Sequence, residues 1–269
     1  MTFDEKYAEY FKIVGNALRG VPNTGDNAGA GDHIGSPLQE VIQYSLEAGG
    51  KRIRPILTLA FCEAYGGDVQ KAAPVAAAIE MLHTSTLIQD DLPCMDDDDE
   101  RRGKPACHKA FSEADAVLAA SQMAYHAIEM LDDIRIIKAV CSCMLDVYDG
   151  QKLDLLYKGN VGGAVPGAPR KEDILKMYEL KTCALLQLAC ISGCLAANAD
   201  ESAVKNAENY AYNLGLAFQL IDDILDGEGY EGAQQDAEKY TEEALFILEA
   251  IPNSEFLTEL TKNLLNRKK

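Results

Sequence analysis

Two long apolar helical stretches in this chain each run into a cluster of aspartates, and that pairing constrains the fold more than any other feature. The first cluster reads Gln89-Asp90-Asp91-Leu92-Pro93-Cys94-Met95-Asp96. The second, about half the chain away, reads Phe218-Gln219-Leu220-Ile221-Asp222-Asp223-Ile224-Leu225-Asp226. Asp222 and Asp226 are four apart and stand one above the other on a helix face, with Asp223 beside both. Leu214, Leu216, Ala217, Phe218, Leu220 and Ile221 are apolar nearly all round the helix, which places it inside the molecule. Three carboxylates at the end of a buried helix are costly without a counter-ion. In the first cluster Asp90 and Asp96 do not share a face of a straight helix. Pro93 ends the helix just after Asp91, and the chain is expected to turn there and bring Asp96 back.

Carboxylates so placed repel one another unless a hard cation sits between them, and oxygen ligands suit Mg²⁺. Two such clusters facing across a cavity would clamp several Mg²⁺ ions and a diphosphate, which points to diphosphate chemistry on an otherwise apolar substrate. Two other metal readings fail. A twelve-residue calcium loop begun at Asp90 or Asp91 would have no glycine at its sixth position, and Arg101 or Arg102 falls where the closing glutamate belongs. Glu80-Met81-Leu82-His83 is one ExxH, but the second that a di-iron bundle needs is absent.

Helical periodicity is expected over 3–19, 38–48, 53–65, 71–91, 112–131, 133–157, 171–197, 201–226 and 235–266, with capping or proline signals between most of them. Residues 20–37, rich in Gly, Asn, Asp and Pro, read as a loop, and no alternating strand pattern is evident. The chain has 269 residues, 48% of them hydrophobic, and no Pro/Ser-rich linker, so one domain over 1–269 with a substantial core is expected. The architecture is therefore an all-α, single-domain bundle around a central apolar cavity. A net charge of -18 argues against nucleic acid and anionic membrane surfaces as partners. The charged N-terminus is no signal peptide, and no apolar run reads as a membrane span. Eight cysteines without a CxxC pair read as reduced, mostly buried thiols of a cytoplasmic protein.

Against that acidic background stand two dense basic patches, Gly49-Gly50-Lys51-Arg52-Ile53-Arg54-Pro55 and Arg101-Arg102-Gly103-Lys104, besides the Asn266–Lys269 tail. Arginine offers bidentate contacts to phosphate and lysine a mobile point charge. The order GGKRIRP, HTSTLIQDDLPCMDDDDERRGKPACHKAF, GQKLDLL, ELKTCALLQLA and FQLIDDILD resembles the trans-isoprenyl diphosphate synthases, most closely their short-chain farnesyl/geranylgeranyl branch. The resemblance spans about residues 1–226, and Ala237 to Lys269 looks like the family's C-terminal helix.

That resemblance implies an orthogonal helical bundle of the isoprenoid synthase type, a homodimer with the active site inside each subunit, and three Mg²⁺ ions. The implied reaction ionises an allylic diphosphate (dimethylallyl, geranyl or farnesyl). The double bond of isopentenyl diphosphate attacks the cation, and a proton is lost. By position Asp90, Asp96, Asp222 and Asp226 would hold metal, with Asp91 and Asp223 beside them. Arg101, Lys181 and Gln219 would contact the allylic diphosphate, Thr182 completing the Lys-Thr pair. Lys51, Arg54, His83 and Arg102 would hold isopentenyl diphosphate, and Gln151 and Asp154 match the family's GQxxD. Product length is expected to be set by Ser85 and Thr86, small where farnesyl-type enzymes carry a bulky aromatic, and by Met81 and Leu82 one turn deeper. One turn, about 5.4 Å, is close to one isoprene unit. A C20 product, geranylgeranyl diphosphate, is favoured over C15.

The chain departs from the pattern after Asp226, where Gly227-Glu228-Gly229-Tyr230 replaces a lysine-bearing loop, with Lys239 a poor substitute. The stretch between Ala120 and Gly150 is also short for the family, and Gln89 stands where a histidine is common. Two rivals remain: a class I terpene cyclase, which would need an Asn/Ser/Glu motif in place of Asp222-Asp223-Asp226, and a non-catalytic partner subunit of a prenyl synthase.

Overall fold

A computed structural model describes residues 1–20, 37–159 and 169–266. The loop expected over 20–37 and the basic tail beyond Asn266 lie almost wholly outside the described residues. Among those described the helices are α1 (Phe3–Arg19), α2 (Gln39–Leu46), α3 (Ile53–Ala64), α4 (Val69–Asp90), α5 (Cys107–Ala110), α6 (Glu113–Glu129), α7 (Ile134–Tyr157), α8 (Lys171–Tyr178), α9 (Ala184–Ala196), α10 (Glu201–Asp226), α11 (Ala233–Leu248) and α12 (Glu255–Leu265). Their starts follow from capping chemistry. Thr2 and Glu5 close a reciprocal capping box on α1. Asp68, Ser112, Asp133 and Asp200 each accept a backbone N–H at the heads of α4, α6, α7 and α10. Gly227 ends α10 in the left-handed conformation, φ 81°.

The core is formed by α3, α4, α9 and α10. Ile56, Leu57, Leu59 and Phe61 of α3, Ile79, Met81 and Leu82 of α4, and Cys190 and Cys194 of α9 are almost wholly buried. α3 packs on α9 and α4, α9 on α10, and α6 covers α4. Burial on this scale contributes about 25 cal/mol per Å² of apolar surface. None of the eight thiols is in a disulfide; Cys94 and Cys141 are exposed and the rest buried.

Three expectations need correction. The single helix expected over 235–266 is two, α11 and α12, because Pro252 cannot continue a helix and Asn253 takes φ 49°. The segment after the first aspartates forms a small hairpin, Glu100–Arg101 against Lys104–Pro105, whose two-residue arms are too short to show alternation. Lys171–Ala196, read as one run, is long and apolar enough to cross a membrane, unlike the expectation. Here it packs against α7 and α10, and its α9 half packs against α3 and α4. That run also contains a π-helical turn, Glu179–Cys183, between α8 and α9.

Candidate active site

The first wall of the site is the end of α4. After Asp91 the chain reverses as Pro93 requires, and the Asp96 amide donates to the Asp90 carbonyl at 2.9 Å. This turn brings Asp96 back beside Asp90, as the spacing suggested. Asp91 points elsewhere. Its buried carboxylate accepts from Arg101 Nε at 2.9 Å and again from Nη2, and Arg101 also reaches Asp98 at 2.7 Å. Asp91 and Arg101 therefore brace the hairpin against α4, and Arg101 meets carboxylates in this structure.

The opposite wall is α10. At about 100° per residue, Gln219, Asp222, Asp223 and Asp226 fall on one face and Ile221, Ile224 and Leu225 on the other. That other face lines a pocket of about 560 Å³ against α11 and α12, away from the aspartates. Gln219 Nε2 donates to Asp223 at 3.1 Å, the Tyr178 hydroxyl donates to the same carboxylate, and Thr182 Oγ1 donates to Gln219 Oε1 at 3.2 Å. Tyr178, at the end of α8, is a residue the sequence reading did not single out.

The π turn sets Lys181 and Thr182. An extra residue in the turn rotates the side chains that follow it, and such bulges often mark functional sites. Gly150 of α7 makes room for the turn: a Cβ there would lie 2.4 Å from the Lys181 amide nitrogen.

Between the walls runs a ladder of alternating charge. Lys158 Nζ is 3.0 Å from Asp96 Oδ1 and 3.0 Å from Asp154 Oδ2, and Lys181 bonds the same Asp154 carboxylate. Lys158 was also not foreseen, although its i,i+4 spacing from Asp154 is visible in the chain. Burial pushes the Asp90 carboxyl up to about 6, aided by Asp96 and opposed chiefly by Lys181. Burial raises Asp223 to about 6 as well, helped by Glu228, Asp226 and Asp154. The two motifs thus share one electrostatic field, with Lys181 and Asp154 between them. Gln151, one turn before Asp154, is buried with both amide atoms unpartnered.

The donor set is oxygen-rich and short of positive charge, which fits a hard divalent cation. Among the described residues no three His, Cys, Asp or Glu side chains converge on one ion position. An ion that keeps its waters and takes one or two carboxylates plus substrate phosphates needs no such cage.

The raised carboxyl of Asp90 has a measurable consequence. It holds its proton more tightly in the folded than in the unfolded chain, so its contribution to stability is present at low pH and lost as pH climbs from about 4 through about 6. In chelator-treated protein, Asp90→Asn should match the wild-type Tm below about pH 4 and exceed it by roughly 3 °C at pH 7. A Tm difference that does not grow with pH would refute the electrostatic strain.

A cationic cradle adjoins the first wall. Arg54 Nη1 donates to His83 Nε2 at 3.2 Å, so the proton of the ring sits on Nδ1. Burial, then Arg54, Arg102, Arg52 and Arg101, hold His83 well below the usual imidazole range and keep it neutral. Arg102 Nη1 donates to the Gly49 carbonyl at 2.6 Å. The Lys51 side chain is exposed, and its carbonyl accepts from Tyr7.

Met81, Leu82, Ser85 and Thr86 are all buried in α4. The Ser85 hydroxyl donates to the Leu82 carbonyl at 2.7 Å and Thr86 to His83 at 2.8 Å, so both present hydrocarbon to their surroundings. A cavity of about 30 Å³ lies on the other side of α4, beside Thr84, Leu87, Ile88 and Asp91. No pocket among those described is lined by the four expected chain-length residues. After Asp226, Lys239 lies 5.5 Å from the ring of Tyr240.

Both the sequence and the all-α fold match known proteins. The polyprenyl synthetase family model matches residues 36–245. A farnesyl diphosphate synthase of Geobacillus stearothermophilus is 40% identical over 78% of this chain and 75% of its own length. A farnesyl diphosphate synthase of Bacillus subtilis is 39% identical over 72% of this chain and 68% of its own. A chloroplastic geranylgeranyl pyrophosphate synthase of Arabidopsis thaliana is 43% identical over 70% of this chain and 56% of its own. Among solved structures, a geranyltransferase of Legionella pneumophila superimposes with a TM-score of 0.83 at 28% identity, covering 99% of this chain and 98% of that one. The chain belongs to the polyprenyl synthetase family.

Proposed function

We propose that this chain is a short-chain prenyl diphosphate synthase that joins isopentenyl diphosphate to an allylic diphosphate, with geranylgeranyl diphosphate (C20) as its main product and farnesyl diphosphate (C15) second. The observation that carries this reading is the pairing of two unlike anion sites. One, between Asp90/Asp96 and Asp222/Asp226, is acidic and attracts a diphosphate only through cations. The other, formed by Arg54, His83, Arg102 and Lys51, is cationic by itself. A diphosphate that must leave and one that must stay need those different environments.

Magnesium held by Asp90, Asp96, Asp222 and Asp226, three ions in all, would neutralise charge developing on the leaving diphosphate. The remaining steps fall to the chain. Lys181 exchanges Asp154 for the allylic diphosphate, and Arg101 turns toward it from Asp91. Thr182 orients Gln219, which steadies Asp223 beside the metal ligands. The cradle holds isopentenyl diphosphate with its double bond toward the allylic carbon. Packed apolar walls keep water from the cation. The new C–C bond takes the π electrons of isopentenyl diphosphate, the allylic C–O bond breaks, and the proton lost passes to the released diphosphate.

Dimerisation has a candidate face. Leu118 and Tyr125 of α6 and Leu145 and Tyr148 of α7 are 56%, 74%, 68% and 47% exposed, large apolar side chains that a second copy would cover. Sedimentation of the protein as a monomer at micromolar concentration would refute this.

Chain length is tested at Ser85. Ser85→Phe places a ring five residues before Asp90, about 7.5 Å from it along α4. It should move the main product from C20 to C15 while isopentenyl consumption continues. An unchanged product distribution would remove Ser85 from the floor of the prenyl site.

A further inference from the structure

The sequence reading set Glu80 aside once it failed as an iron ligand, yet this acid lies directly beneath the cationic cradle. Its side chain is 1% exposed and pairs with Arg52 at 2.5 Å, itself only 9% exposed. Arg52 Nη2 also donates to the Leu46 carbonyl, at the end of α2. Arg52 heads α3 in the left-handed conformation at φ 52°, separated by Lys51 from Gly49 and Gly50 at φ 86° and 107°. A non-glycine residue there is strained and persists only where its surroundings hold it. The Arg52–Glu80 pair and the Leu46 carbonyl supply that hold.

The loop so held supports the cradle. Arg102 donates to the Gly49 carbonyl, and its guanidinium occupies the space a Cβ on Gly50 would need, 2.6 Å from Cζ. Glu80 is the foremost negative charge acting on both Arg54 and Arg102. Three buried polar atoms here have no partner: Arg54 Nε, His83 Nδ1 and Glu80 Oε2. One buried carboxylate faces Arg52, Arg54 and Arg102, enough to assemble the guanidiniums and too little to neutralise them.

We infer that Glu80 and Arg52 are a positioning pair, which fixes the Gly49–Arg52 loop and through it the arginines that receive the diphosphate of isopentenyl diphosphate. The inference rests on the reading of the cradle as the isopentenyl diphosphate site. It opposes a simpler idea, that Glu80 is only a counter-charge. Removing a counter-charge would leave the cradle more positive and tighten anion binding. Removing a positioning group loosens it.

The test is steady-state kinetics of Glu80→Gln with Mg²⁺, varying isopentenyl diphosphate and farnesyl diphosphate separately. The KM for isopentenyl diphosphate should rise about tenfold, in the manner of other groups that orient ligands, with the KM for farnesyl diphosphate unchanged. Glu80→Asp, which keeps the charge, should recover part of the loss. An unchanged or lowered isopentenyl KM overturns the inference, as does an equal rise in both KM values, the mark of general damage. If Glu80→Gln does not fold, the charge-free pair Arg52→Met with Glu80→Leu must show the same split. A wild-type protein that turns over no isopentenyl diphosphate would instead overturn the reading of the cradle itself.

Discussion

Asp90→Asn should lower kcat by about 10³-fold and leave the protein folded. The size follows from what a single preorganised electrostatic contact contributes to a transition state with developing charge. Asp90 sits in an electrostatically strained position. Burial and Asp96 raise its carboxyl to about 6, and Lys181 is the foremost charge working against them. Asparagine keeps the shape and removes the negative charge that a divalent cation would bind. Metal affinity should fall with kcat, read by calorimetric titration of Mg²⁺ in the presence of inorganic diphosphate. The same substitution relieves repulsion in the metal-free chain, so thermal stability at pH 7 should rise while activity collapses. Loss of activity through unfolding would move both in one direction. An Asp90→Asn variant with near wild-type kcat would take the first motif out of the chemistry.

The second large effect is expected at Gly150, which no charge argument would single out. A methyl group there would meet the backbone of the π turn at 2.4 Å from the Lys181 nitrogen and 2.8 Å from the Leu180 carbonyl carbon. Backbone on a neighbouring helix cannot step aside as a side-chain tip can. Gly150→Ala should therefore cost about 3 kcal/mol, the upper end for overpacking a core. It should also push Lys181 and Thr182 off their line with Asp154 and Gln219. A displacement of about 1 Å at a reacting group can cost 10²-fold in rate, so kcat should fall about a hundredfold even where the variant is fully folded. Denaturant unfolding and kinetics at low temperature separate the two losses. Wild-type stability and rate together would mean that the turn has slack the structure does not show.

Much of this was legible in the chain because the relevant physics is local. Asp200 and Gly227 bracket α10, and the pattern between them places Asp222, Asp223 and Asp226 on one face. Pro93 implied the reversal that returns Asp96 to Asp90, and the backbone bond between them confirms that turn. Other features depend on what packs against what. Asp91 reads like its neighbours in sequence, yet its carboxylate turns to Arg101 because the hairpin folds over that side of α4. The π turn leaves no periodic signature, since a helix with one extra residue still looks apolar throughout. Glu80 looked like half of a metal motif; only the buried Arg52 beside it shows another use. Lys158 and Tyr178 meet partners on other segments, at Asp96 and Asp223, that no spacing rule connects.

The most direct test of the central claim is transfer of a labelled isopentenyl unit. The protein is incubated with Mg²⁺, labelled isopentenyl diphosphate and farnesyl diphosphate, and the products are resolved by chain length. Labelled C20 product that disappears with chelator is the predicted result. No labelled product from dimethylallyl, geranyl or farnesyl diphosphate would contradict the account and favour a non-catalytic partner role for the fold.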